Sequence, residues 1–308
     1  MFQTYHAHGK LLLTGEYFIL DGAVGLALPT KFGQSLTVES NIKNEISWES
    51  IDSEKNVWFE AKFNEQLEII SCTNNQVAKT LQTILFNLQL TTYNLRLTTQ
   101  TDFPNNWGLG SSSTLISLLA QYANIDPYEL LAKTFGGSGY DIACATAKGA
   151  ITYQLDNNQW SMVNGITIKN HRLSAIDYQP SFSNHLYFLH LNQKQNSREG
   201  IQHYKNLTIN KAEYIEQISE LTQKIIRANE LDEFCYYAEV HENIIANALN
   251  LRKVKEVYFS DFPGTIKSLG AWGGDFVLVA SDESPEMIKQ YFQSKGFSTF
   301  LSYNEMIL

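Results

Sequence analysis

Four glycine-bearing stretches carry the residues whose types and spacing could do chemistry. The first is Phe103-Pro104-Asn105-Asn106-Trp107-Gly108-Leu109-Gly110-Ser111-Ser112-Ser113, followed by a helical pattern. Two glycines let a backbone turn closely around an anion, and the free N–H groups and positive end of the following helix favour phosphate. A hydroxyl from Ser111 or Ser112 could also reach a phosphate or a bound Mg²⁺. The chain has no G-x-x-x-x-G-K-[ST] loop, and Ser113 stands where a dinucleotide fingerprint needs its third glycine. Spacing alone also allows a flexible loop whose serines only cap a helix.

The second stretch, Gly136-Gly137-Ser138-Gly139-Tyr140-Asp141-Ile142-Ala143-Cys144-Ala145, delivers one carboxylate to the start of a small-residue helix. Asp141 could orient a hydroxyl and accept its proton, or serve only as the helix cap. The third, Lys267-Ser268-Leu269-Gly270-Ala271-Trp272-Gly273-Gly274-Asp275, precedes an apolar strand. It reads as a loop against a ligand or as a tight turn over a buried tryptophan. The fourth runs His8-Gly9-Lys10-Leu11-Leu12-Leu13-Thr14-Gly15-Glu16-Tyr17. A lysine entering an apolar strand is costly unless its ammonium meets an anion or snorkels to the surface.

These stretches need rigid neighbours. Leu11 to Thr14 and Leu36 to Val38 read as strands, and Tyr93, Leu95, Leu97 and Thr99 alternate with polar residues as a half-buried strand does. Val77, Leu81, Ile84, Leu85 and Leu88 share one helical face, and a second helix runs from Ser111 to Tyr122. Asp126-Pro127 opens a short helix. Ala150 to Gln154 reads as a strand, and the polar run from Asp156 to Asn170 as the approach to a domain boundary. Beyond it come a strand at Leu186 to Leu191, amphipathic helices through Tyr214 to Ile225 and from Asp232 to Arg252, an apolar strand at Phe276 to Ala280, a helix near Pro285 to Ser294 and a short terminal strand. Antiparallel strands with helices on one face make the class α+β.

A length of 308 residues exceeds the usual single domain, so two domains sharing a cleft are expected. The composition, 44% hydrophobic and 18% charged, supports a sizeable core. A net charge of -9 argues against nucleic-acid binding, which needs a basic face, although a local nest of N–H groups with a lysine and a metal ion can still hold ATP. Cys72, Cys144 and Cys235 are widely spaced and fit reduced thiols, and His6, His8, His190 and His241 show no metal-like spacing. No run of about 20 apolar residues occurs, so no membrane partner is expected, and the widely spaced cysteines make a cytoplasmic location the expectation.

In their order, these four stretches resemble the motifs of the GHMP kinases, named for galactokinase, homoserine kinase, mevalonate kinase and phosphomevalonate kinase. The resemblance spans Gly9 to Asp275, and the GKLLLTGEY and GGSGYD-x-A wording is most similar to the mevalonate and phosphomevalonate kinase branch. It implies an N-terminal domain like the second domain of ribosomal protein S5 and a ferredoxin-like C-terminal domain. These are expected at 1–170, binding ATP, and 171–308. It implies ATP and Mg²⁺ as cofactors and a small-molecule partner, while the sequence leaves monomer and homodimer both open.

The same resemblance implies roles for residues. Pro104, Gly108, Leu109, Gly110, Ser111, Ser112 and Ser113 would bind the ATP phosphates, with Ser112 touching Mg²⁺. Asp141 would be catalytic, with Lys10 beside it holding the carboxylate ionised by lowering its pKa. Glu16, Tyr17, Asp21, Gly270, Gly273 and Gly274 fall on the substrate side, and Lys194, Ser197 and Arg198 could hold a substrate phosphate. The sequence departs from the pattern where Trp272 replaces a small residue, which would reshape the substrate side. Glu129 is the only acidic residue near the place where mevalonate kinases carry a metal-binding glutamate. A phosphotransferase acting on a mevalonate-type metabolite is the leading expectation, with phosphomevalonate slightly ahead of mevalonate. A diphosphomevalonate decarboxylase of the same fold, or a member that binds without chemistry, are the alternatives.

Overall fold

The computed structural model describes residues 2–90, 92–163, 166–195, 197–272 and 274–308, with the backbone alone over 157–163 and 166–169. The chain opens with β1 (Phe2–Thr14), a 3₁₀ turn over Phe18–Asp21 and β2 (Gly25–Ser40), the two strands pairing antiparallel. Then come β3 (Ile46–Ile51), β4 (Val57–Phe63), β5 (Ile69–Cys72), α1 (Asn75–Asn87), β6 (Leu95–Thr101), α2 (Ser111–Ala123), α3 (Pro127–Lys133) and α4 (Tyr140–Thr146). The hairpin β7 (Ile151–Val163) and β8 (Ile166–Ala175) completes an eight-stranded sheet, ordered β5-β4-β3-β6-β2-β7-β8 with β1 on β2.

This sheet is mixed, because β3 and β6 run parallel while the other pairs are antiparallel. Its strands form for the reason their alternation suggests. Leu95, Leu97, Thr99 and Thr101 of β6 all point inward, where the Leu97 row meets Leu81, Ile84 and Leu85 of α1 and Ile116 and Leu119 of α2. Asn74 caps α1 by accepting from Gln76 and Val77, and Asp126 caps α3 ahead of Pro127.

The second half holds β9 (Leu186–His190), α5 (Ser197–Lys205), α6 (Lys211–Arg227), α7 (Leu231–Leu249), α8 (Val254–Tyr258), β10 (Thr265–Ser268), β11 (Phe276–Ala280), α9 (Pro285–Ser294), β12 (Phe300–Ser302) and α10 (Tyr303–Met306). Its strands form an antiparallel sheet in the order β10-β11-β9-β12. Leu11, Leu13, Leu26 and Leu28 of the first hairpin share one core with Leu186, Phe188, Phe276 and Leu278, so the two sheets are packed through β1 and β2. The expected α+β class is present, built on two sheets.

One stretch differs. The polar run Asp156 to Asn170, expected as the approach to a boundary, is the edge hairpin of the first sheet, with Asp156 paired to Asn170. Antiparallel edge strands can face water, so their sequence need not show an apolar row. The strand β8 continues past 170 to Ala175 within the same sheet.

Candidate active site

Two of the glycine stretches are joined by the backbone of β1. The pairing of β1 with β2 slips between His8 and Lys10, a bulge at Gly9. A Cβ on Gly9 would lie 2.7 Å from the Thr30 hydroxyl and 3.0 Å from the Leu109 carbonyl, so only glycine lets the turn before α2 approach this closely. The Lys10 N–H then donates to the Leu109 carbonyl at 3.0 Å, and its ammonium donates to the Gly108 carbonyl, also at 3.0 Å. Lys10 therefore grips the Gly108–Gly110 turn twice, with its Nζ 5.9 Å from the centre of the Tyr140 ring.

The turn is also held from the other sheet. Trp107 stands edge-on to Phe32 and Phe276, with ring centres 5.2 and 5.3 Å apart, and His190 Nε2 lies 3.1 Å from the Asn106 carbonyl. Pro104 accepts from the Trp107 N–H at 3.0 Å. Gly110 caps α2, so the first N–H groups of this 13-residue helix open where the turn ends. Ser113 is buried and turns back to the Gly110 carbonyl at 2.8 Å, whereas Ser112 is exposed and its hydroxyl makes no hydrogen bond among the described residues.

Asp141 lies in the first turn of α4, after the Gly139 cap, and α4 packs on β1 and α2. Tyr153 fixes the loop before it by donating to the Ser138 carbonyl at 2.5 Å. The Asp141 carboxylate accepts from the Ile142 N–H at 3.1 Å and feels the Lys10 charge. Lys10 pulls the Asp141 pKa down as expected, but the net shift is upward. Burial pushes the carboxyl up, and this outweighs the pull of Lys10, the Ile142 N–H and the Ser113 hydroxyl.

Asp275 is the residue that the sequence reading passed over. It sits at φ 52°, in the left-handed region, between the glycine run and β11. Its carboxylate presses on Gly108, where a Cβ would lie 2.2 Å from the Asp275 Cγ; φ 66° there likewise calls for glycine. Burial raises this carboxyl as well, against the Gln195 N–H and the charges of Lys10, His190 and Lys194. The usable signal was a carboxylate next to a glycine run, the same signal that picked out Asp141.

Of the other expected residues, Tyr17 and Lys194 interact electrostatically with Asp275. Lys194, expected on the substrate side, donates to the Asn105 carbonyl at 3.0 Å, on the phosphate turn. Ser197 is exposed at the start of α5, and the next residue, Arg198, stands over the Phe135 ring at 5.7 Å. Asp21 accepts from Tyr204 at 2.7 Å and pairs with Lys211 at 3.1 Å. Tyr17 stacks on Tyr204 with ring centres 5.9 Å apart, and burial pushes its phenol up to about 12. Gly270, within the third stretch, has φ 58°, Gly274 backs onto Gln195, and Gly273 lies outside the described residues.

The Trp272 indole is buried in one cluster with Tyr17, Phe18, Tyr204 and Leu249. Glu129 is buried on α3 and paired with Lys133. Glu16 is fully buried in an ion pair with Lys267, with His241 Nε2 3.4 Å from its other oxygen. Next to this pair, Glu242 of α7 accepts from the Ser268 N–H and hydroxyl, the latter at 2.7 Å.

No family profile and no curated protein matches the sequence. Solved structures do match in fold. The chain is similar to the mevalonate kinase of Methanococcus jannaschii, at 14% identity and a TM-score of 0.67 over 98% of this chain and 97% of that one. It is similar to the phosphomevalonate kinase of Streptococcus pneumoniae in complex with phosphomevalonate and AMPPNP, at 17% identity and a TM-score of 0.68 over 97% and 99%. It also matches the galactokinase of Lactococcus lactis complexed with galactose, at 12% identity and a TM-score of 0.68 over 98% and 92%. The fold of this chain is thus the one shared by the GHMP kinases. No helix among the described residues is long and apolar enough to cross a membrane.

Proposed function

We propose that the chain is an ATP-dependent small-molecule kinase that transfers the γ-phosphoryl group to a hydroxyl or phosphate of a mevalonate-type metabolite. The observation that carries this reading is the Lys10 ammonium, seated 3.0 Å from the Gly108 carbonyl at the mouth of a glycine turn and interacting with the Asp141 carboxylate. The nucleotide phosphates would lie on the N–H groups of the Gly108–Ser113 turn, where the α2 dipole favours negative charge. Asp141 would orient the acceptor hydroxyl and take its proton, and its raised pKa suits a group that must accept one. Lys10 would offset charge on the transferring group, because a loose transition state rewards positioning and charge more than a strong base.

The exposed Ser112 hydroxyl and the nearby carboxylates are hard oxygen donors of the kind Mg²⁺ takes. When bound, the ion would neutralise phosphate charge. Among acceptors, phosphomevalonate ranks ahead of mevalonate on the Gly274-Asp275 ending of the third stretch and on the Ser197-Arg198 start of α5.

An ADP-release screen with phosphomevalonate, mevalonate, homoserine and several sugars tests the reading. ADP release is expected with phosphomevalonate, and Asp141→Asn is expected to lower it by about 10²- to 10⁴-fold at an unfolding midpoint no lower than the native protein's. Full turnover by the folded variant would remove Asp141 from the mechanism. Release of CO₂ with ADP would move the chain to the decarboxylases, and nucleotide binding without turnover on any acceptor to the non-catalytic binders.

A further inference from the structure

Resting on the kinase reading, the geometry points to Asp275 as the residue that makes the phosphate turn select nucleotide complexed with a divalent cation over free nucleotide. The carboxylate is held in place by its surroundings. The Asp275 N–H donates to the Gln193 carbonyl at 2.8 Å, its carbonyl accepts from Leu191 at 2.8 Å, and Oδ1 accepts from the Gln195 N–H at 3.2 Å. Oδ2 makes no hydrogen bond among the described residues, and it is one of the atoms against Gly108: a Cβ there would lie 2.3 Å from it. The turn proposed to hold phosphate thus has a carboxylate oxygen with no protein hydrogen-bond partner among the described residues fixed against its first glycine, on a half-buried side chain.

Charge makes this arrangement selective. Lys10 faces both Asp141 and Asp275, so a single ammonium serves two carboxylates at the centre, with Lys194 at the rim. Free triphosphate entering the turn would meet like charge from Asp275, whereas a divalent cation shared by carboxylate and phosphate converts that repulsion into attraction. Mg²⁺ binds through one or two carboxylates together with substrate phosphates. Glu129 is committed to Lys133 on α3, which leaves Asp275 as the added carboxylate at the turn.

Asp275→Asn isolates the charge. Asparagine tolerates the left-handed backbone and keeps an acceptor for Gln195, so the corner is preserved. Calorimetric titration of the full chain with a non-hydrolysable ATP analogue, with Mg²⁺ and with EDTA, reads the preference directly. The native protein is expected to bind more tightly with Mg²⁺, and the variant to lose about tenfold of that ratio, with EDTA-state binding equal or tighter. A native protein that binds equally in both conditions, or a variant that keeps the native ratio, would overturn this role for Asp275 and leave the kinase reading standing. A native protein that binds the analogue in neither condition would overturn both.

Discussion

Lys10 and Lys267 each sit on a strand bordering a glycine stretch, and each faces two carboxylates, yet they stand in opposite surroundings. Lys267 is sealed at 1% exposure, paired to Glu16 with Glu242 and His241 around it. Lys10 is half-buried, bonds only to backbone oxygen through its ammonium, and feels Asp141 and Asp275 at a distance. The satisfied cation ties α7, β10 and the end of β1 together. The cation without a close carboxylate partner keeps capacity for a substrate. Cost of burial alone, the argument that singled out Lys10 in the sequence, identifies the structural lysine better than the chemical one.

The largest effect expected from this contrast is on stability. Lys267→Met leaves Glu16 and Glu242 buried without a cation, and removing one partner of such a pair costs about 3–5 kcal/mol. Lys10→Met is expected to lose far less in a denaturant titration while abolishing ADP release. If Lys10→Met proved the more destabilising change, the division between a structural and a chemical lysine would collapse.

How much was legible follows from the same residues. The Gly108–Ser113 turn, Asp141 and Lys10 could be read because glycine, hydroxyl and charge stand in fixed local order, and the structure brings all three together at the bulge in β1. The helices α6, α7 and α9 could be read because their apolar residues repeat at helical spacing. The role of Glu16 could not, because its partner Lys267 is 251 residues away and only packing of the two sheets joins them. The contact of Lys194 with the phosphate turn could not be read either: its loop is polar and exposed, and only the tertiary fold lays its ammonium on Asn105. The far part of β7 and all of β8 stayed hidden because strands paired at a wet edge need no apolar row.

A middle-sized effect tests whether the open side depends on close backbone approach. Gly108→Ala forces a side chain into φ 66° and onto the Asp275 carboxylate, so either the turn or Asp275 must shift. Strain of about 1–3 kcal/mol is expected, with a nucleotide affinity lowered about tenfold or more in the same calorimetric titration. Gly136→Ala is the control, since its φ is also 66° but a Cβ there meets nothing within 4 Å. Equal losses in the two variants would assign the effect to backbone strain alone and remove Asp275 from the account.

The smallest effect concerns the sealed side and pH. Burial raises the Glu242 carboxyl from its ordinary 4.5 to about 7, the Lys267 charge and Ser268 hydrogen bonds recovering only part of the cost. Below pH 4.5 the group is protonated in folded and unfolded chains alike. As pH rises towards 7 the unfolded chain ionises Glu242 while the folded chain holds the proton, so the folded state binds more protons and loses stability with rising pH. His241, lowered by burial and by Lys267, works in the opposite direction, but it is present in both proteins of the comparison. Glu242→Gln should therefore gain on the native protein in unfolding midpoint between about pH 4.5 and 7, and hold a constant offset above that range. A constant offset across the whole range would mean that Glu242 is ionised in the folded protein throughout. Lys267 would then balance two carboxylates, and the sealed cluster would carry the same two-to-one charge ratio as the open one.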